Sequence, residues 1–231
     1  TMSIENLLRT QQQDYEQRRR IEIQLLQSQV NPHFLYNTLD SIRWMAVIQK
    51  SPGIEKMTRC LSSLLKNIAK GTQDKITVQE ELALLHDYVE IQSVRYMEAF
   101  SFDDQVPQEL YRYHIIKLTL QPLVENAIFH GIEPKGSAGE VTLRVERDTA
   151  NGDVLIHLTD DGVGMTPEQA VKALQEPGPE EAAAKYRHVG MWNVHKRLQY
   201  SFGEAYGLSI ESEPDIGTTV TIRLPGPDSQ K

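Results

Sequence analysis

His33 is a candidate nucleophile because of the company it keeps. It follows Pro32, and at helical spacing His33, Tyr36, Asn37 and Asp40 share one polar face, whereas Leu35, Leu39 and Ile42 point elsewhere. That pattern predicts an exposed imidazole. With an ordinary pKa of about 6.5 such a ring is mostly unprotonated at pH 7 and can attack an electrophile. Three further groups lie in the second half of the chain. Asp161-Gly162-Val163-Gly164 sits in a loop after a predicted strand, where glycines let the backbone approach a flat ligand and a carboxylate can accept from an exocyclic amine such as that of adenine. Taken alone, an acidic glycine turn is often no more than a turn. Glu125-Asn126-Ala127 falls on a predicted helix with His130 one turn beyond Asn126 on the same face. One amide oxygen, with phosphate oxygens and water, would satisfy octahedral Mg²⁺, which rarely needs an all-protein cage. Gly190-Met191-Trp192-Asn193 opens another predicted helix, whose first backbone amides offer phosphates an anion site.

The elements that must position these groups follow from periodicity. From about Ser3 to Lys50 apolar residues recur at helical or heptad intervals without glycine, which predicts a long helix kinked at Pro32. Ser51, Pro52 and Gly53 read as a turn, and Met57, Leu61, Leu64, Leu65 and Ile68 as the apolar face of a returning helix. Two such hairpins from two chains would make a four-helix bundle and bury stripes that neither buries alone. Thr77 and Glu80 form a capping box that starts a third helix ending near Tyr96. Alternating Val141/Leu143/Val145 and Val154/Ile156/Leu158 flank Asn151-Gly152, a hairpin signal. A helix carrying Leu120, Leu123, Val124 and Ile128 precedes this hairpin. A helix over about Val189 to Phe202 and strands near Leu208 to Ser212 and Thr218 to Leu224 follow it. The order predicts an α+β fold: a helical hairpin over residues 1–72, then an α/β sandwich over 73–231 with helices on one face of a mixed sheet. The stretch from Pro177 to Lys185 reads as a mobile loop.

Composition narrows the function classes. With 39% hydrophobic and 24% charged residues the 231-residue chain is of globular type. Its formal net charge of -8 disfavours nucleic acid as a partner. Cys60 is the single cysteine and cannot close an internal disulfide, which fits a reducing compartment. No apolar run reaches the length of about 18 residues that a membrane span needs.

In order and spacing, the groups around Asn126, Gly162 and Gly190, with the closing Gly217-Thr218-Thr219-Val220-Thr221, resemble the nucleotide boxes of the Bergerat (GHKL) ATP fold of gyrase, Hsp90, MutL and histidine kinases. Leu120-Gln121-Pro122-Leu123-Val124-Glu125-Asn126-Ala127, Asn193-Val194-His195-Lys196-Arg197-Leu198 and Gln29-Val30-Asn31-Pro32-His33-Phe34-Leu35-Tyr36-Asn37 resemble the LytS/YesM type of sensor histidine kinase. The resemblance implies a dimeric kinase core that uses ATP and Mg²⁺ to phosphorylate His33 and passes the group to the Asp of a response regulator receiver domain. It places the core on the cytoplasmic side of the bacterial membrane, anchored through segments absent from this chain. It implies nucleotide contacts from Asn126, His130, Asp161, Gly162, Gly164, Gly190, Met191, Asn193 and Thr218, with Asn126 also the metal ligand. Glu125 is the carboxylate candidate for proton removal, since Phe34 stands where many relatives have an acid, and Asn37 is a candidate for orienting water in the reverse reaction. His188 and Trp192 depart from the usual glycine-rich box. Two alternatives stand beside this: a hydrolytic ATPase of the same fold, against which Pro122 occupies the place of the water-activating carboxylate, and a catalytically weak nucleotide-binding scaffold.

Overall fold

A computed structural model describes residues 32–69, 75–96, 99–178 and 189–227. The helix expected before Pro32, its kink, the side chain of His33, His188 and most of the Pro177 to Lys185 stretch lie outside the described residues. Compact units divide between Ser62 and Ser63. In the first, helix α1 (Pro32–Ile48) is followed by α2 (Pro52–Ala69), which runs on into the second. The turn between them lies two residues earlier than the sequence suggested, at residues 49–51. Lys50 takes a left-handed φ of 52°, and Pro52 opens α2 instead of ending the turn, because its missing N–H and fixed φ suit a first helical position. Ala46, Thr58 and Cys60 are buried, whereas Leu61, expected on the inner face, is exposed.

In the second unit α3 (Val78–Arg95) follows the short strand β1 (Lys75–Thr77) and starts at the expected capping box. The Glu80 N–H donates to Thr77 Oγ1 at 3.2 Å, and the Thr77 N–H donates to Glu80 Oε2 at 2.8 Å. Strands β2 (Phe100–Gln105) and β3 (His114–Ile116) lead to helix α4 (Gln121–Asn126), which loosens into a π-helical segment, Ala127–Ile132. Then come β4 (Gly139–Arg147), β5 (Val154–Asp160), α5 (Pro167–Ala173), α6 (Val189–Phe202), β6 (Gly207–Glu213) and β7 (Gly217–Leu224). The five-stranded sheet has the order β2-β4-β5-β7-β6, parallel between β2 and β4 and antiparallel elsewhere. β1 and β3 form a separate antiparallel pair.

Alternation decides which face of the sheet is dry. Val141, Leu143, Val145, Ile156, Ile222 and Leu224 point into one core with Leu85, Leu123, Val124 and Leu198 from the helices. Each such fully buried side chain contributes about 1.5–3 kcal/mol. The opposite face carries polar pairs such as His157 with Thr221 at 3.0 Å and Thr159 with Thr219 at 3.0 Å. This is the α+β sandwich expected, with helices covering one side of a mixed sheet. The strands β1, β2 and β3 and helix α5 were not anticipated. Among the described residues no helix is long and apolar enough to cross a membrane.

Candidate nucleotide site

β5 carries the site's buried charge at its end. Val154, Ile156, Leu158 and Asp160 all face inward by strand alternation, so the phase that builds the core delivers a carboxylate to its rim. Asp160 is 7% exposed, and its Oδ1 accepts the Gly162 N–H at 2.9 Å. Burial pushes the carboxyl up to about 6; neighbouring Asp161 adds to this, and the amides of Gly162 and Thr218 oppose it.

The chain after Asp160 turns tightly. A Cβ on Gly162 would overlap the backbone of Gly131, and one on Gly164 would overlap the Glu213 carbonyl oxygen. Gly164 also has a φ of 66°, so two independent constraints require glycine there. We expect Gly164→Ala to cost about 2 kcal/mol or more. A denaturant melt of the purified chain measures this, and an unchanged midpoint would contradict the close approach.

Asp160 opens on a cavity of about 440 Å³ between the sheet and the helices. Leu158 and Val220 form its apolar sheet wall, and Leu123, Asn126, Ala127 and Met191 its helical wall. His130, Gly164, Lys172 and Thr218 complete the rim. Asn126 is the last residue of α4, where the ladder widens into the π-helical segment, a feature that recurs at functional sites. Its Nδ2 is buried and has no hydrogen-bond partner among the described residues, and Gly190 stands beside it, where an added Cβ would lie 3.4 Å from that nitrogen.

The residues singled out from sequence therefore separate. Asn126, His130, Gly164, Met191 and Thr218 line one cavity, with Gly190 next to Asn126 and Gly162 packed behind. Asp161 does not line it. Its carboxylate faces the other way, bonded to Lys135 Nζ at 2.9 Å and accepting the Glu140 N–H at 2.8 Å. Burial pushes Asp161 up, but Lys135 and the Glu140 amide outweigh this and hold it below the ordinary value. The inward residue is Asp160, one position earlier. Asn193 is exposed and absent from the lining. Glu125 is exposed as a residue and absent from it too, although partial burial pushes its carboxyl up. In the other unit Asn37 is exposed on α1, and Tyr36 and Asp40 are half-buried.

The cavity fits an adenine nucleotide in three respects: a buried acceptor, apolar walls for a flat base, and a buried amide at the far helix end. Among the described residues no group of three His, Cys, Asp or Glu could hold a metal. Asn126 alone would serve a cation that arrives with its phosphates, as Mg²⁺ does.

The chain is similar to known proteins over both of its parts. Residues 21–100 match the family described as histidine kinase, and residues 113–228 match the histidine kinase-, DNA gyrase B-, and HSP90-like ATPase family. The chain is 39% identical over 204 residues to the sensor histidine kinase YesM of Bacillus subtilis (strain 168), covering 88% of this chain and 33% of that protein. It is 34% identical over 208 residues to the sensor histidine kinase BtsS of Escherichia coli (strain K12), covering 90% of this chain and 34% of that protein. The chain thus spans about a third of the length of these relatives. In fold it is similar to the catalytic domain of the histidine kinase ThkA, with a TM-score of 0.50 at 15% identity over 68% of this chain and 98% of that one.

Proposed function

We propose, from the premise that this chain belongs to the histidine kinase family, that it is a sensor-kinase core that phosphorylates itself on His33 with MgATP and passes the phosphoryl group to a receiver-domain Asp. Residues 1–72 act as the dimerisation and phosphoacceptor region and residues 73–231 as the ATP-binding domain. The observation that carries the reading is the single cavity into which buried Asp160 and the orphaned amide of Asn126 both open, on a chain that also holds the Pro32-His33 helix.

Asp160 accepts from the adenine amine, and the apolar walls enclose the ring. Thr218 and Gly164 hold the base edge. Asn126 would hold Mg²⁺ through its amide oxygen while its buried Nδ2 donates to a phosphate oxygen, and the cation would supply charge neutralisation to the phosphates. The α6 amides from Gly190 and Met191 then face the phosphates, with His130 at the rim and Asn193 one turn on. A ring nitrogen of His33 attacks the γ-phosphorus in line. The P–N bond forms as the β,γ-bridging P–O bond breaks, and ADP leaves with the electron pair. Glu125 takes the imidazole proton, and its raised pKa makes it a better acceptor than an ordinary carboxylate. In the reverse reaction Asn37 orients water on the receiver.

The homodimer is supported by the apolar side chains left on the hairpin. Phe34, Trp44 and Ile48 are 65%, 61% and 78% exposed. A second hairpin would cover such residues in a four-helix bundle. We place the core on the cytoplasmic side of a bacterial membrane.

Calorimetric titration tests the metal role. ATP is expected to bind more tightly with Mg²⁺ than without, and Asn126→Ala to lose about tenfold or more of that gain. A variant with its Mg²⁺ dependence intact would remove Asn126 from the site.

A further inference from the structure

Residues 117–120 form a strap just ahead of α4, and most of its backbone polar groups are held by distant side chains. Glu81 on α3 is 1% exposed. Its carboxylate accepts three successive amides, Leu118 N–H at 2.8 Å, Thr119 N–H at 2.7 Å and Leu120 N–H at 2.9 Å. Leu120 is the N-cap of α4 and its side chain makes no capping bond, so Glu81 serves as the cap from another helix. On the carbonyl side Arg197 of α6 donates to Lys117 O at 2.6 Å and Leu118 O at 3.4 Å. Lys117, itself 3% exposed, donates its Nζ to the Asn67 carbonyl at the end of α2. Between these clamps Leu118 adopts a φ of 56°, a left-handed conformation that a leucine keeps only where its surroundings over-determine it.

The clamps lie away from the cavity, yet both helices they fasten reach it. α4 runs from the strap to Asn126 within six residues, and Arg197 lies two turns beyond Gly190 and Met191 on α6. We infer that Glu81 and Arg197 are positioning residues of the nucleotide site. By gripping opposite edges of the same strap they fix the offset between α4 and α6, and so the placement of Asn126 against the start of α6. Burial pushes the Glu81 carboxyl up, while the three amide donors and Arg197 oppose it by favouring the charged form. The inference rests on the nucleotide reading above.

The test uses the full chain with Glu81→Gln and Arg197→Lys. Glu81→Gln keeps the volume but turns an amide NH₂ against backbone donors. Arg197→Lys keeps the charge but not the fork, and stands in if the first variant does not fold. Two readouts are taken well below the melting temperature: hydrogen exchange of the α4 amides relative to β5 and β7, and MgATP affinity. We expect faster exchange confined to α4 and the strap, and MgATP binding weakened about tenfold, since small misplacements at a site carry large costs. Folded variants that bind MgATP as the parent does and merely melt earlier would overturn the inference while leaving the nucleotide reading intact. A parent chain that does not bind MgATP would overturn both.

Discussion

Asp160→Asn is expected to abolish adenine-nucleotide binding while leaving the fold at least as stable. Asp160 is raised from 3.8 to about 6 by burial, so the folded chain holds its proton more tightly than the unfolded chain does. Its contribution to stability is therefore fully present below pH 3.8 and is lost as the pH rises through about 6. At pH 7 the ionised group opposes folding by on the order of 3 kcal/mol at most, taking 1.36 kcal/mol per pKa unit. Asparagine removes that charge and keeps an oxygen for the Gly162 N–H. It then sets an NH₂ against the amine of adenine, a donor facing a donor in a dry site. A rise of a few degrees in melting temperature together with a loss of about 100-fold or more in ATP affinity would fit. In the parent chain the affinity is expected to fall as the pH drops below about 6, where Asp160 protonates. Calorimetry between about pH 5 and pH 8 measures this. A variant that binds ATP normally, or a pH-independent affinity, would remove Asp160 from base recognition.

The one-residue offset from Asp161 to Asp160 follows from strand phase. Two aspartates precede Gly162, and measuring from the nearer one put the carboxylate in the loop. The alternation of Val154, Ile156 and Leu158, already visible in the sequence, reaches Asp160 in phase, whereas Asp161 falls out of phase and meets Lys135. Local signals did well. The Asn151-Gly152 hairpin pairs β4 with β5, α6 spans Val189–Phe202 as expected, and the Thr77/Glu80 box starts α3. Thr166 and Gln169 form the same box at the start of α5, a signature equally legible in the sequence.

What could not be read locally depends on partners distant in sequence. β2 is a strand because it lies parallel to β4, and β1 and β3 are three residues each, paired with one another and held against the core by Ile115 and Ile116. The π-helical widening after Asn126 leaves no periodic mark, and neither does a buried glutamate that caps a helix 38 residues away at Thr119. On α2 the apolar stripe suggested Leu61 inward. Burial keeps Leu64 as expected but takes in Thr58 and Cys60 rather than Leu61; the threonine can be buried because its hydroxyl is satisfied within the helix, on the Ile54 carbonyl.

The largest expected effect is on phosphoryl transfer itself. His33→Ala removes the imidazole that follows Pro32 on α1; on the same face the Asn37 amide is not a nucleophile, and a phosphoester on the Tyr36 hydroxyl would resist acid and so be told apart. Nucleotide binding should be unchanged, because the cavity is built wholly from residues 123 to 220. The direct measurement is incubation of the chain with γ-labelled ATP and Mg²⁺, followed by acid and base treatment of the protein. The expected label is lost in acid, survives base and falls to background in His33→Ala while MgATP affinity stays at the parent value. Label that persists in His33→Ala, or that resists acid, would contradict it.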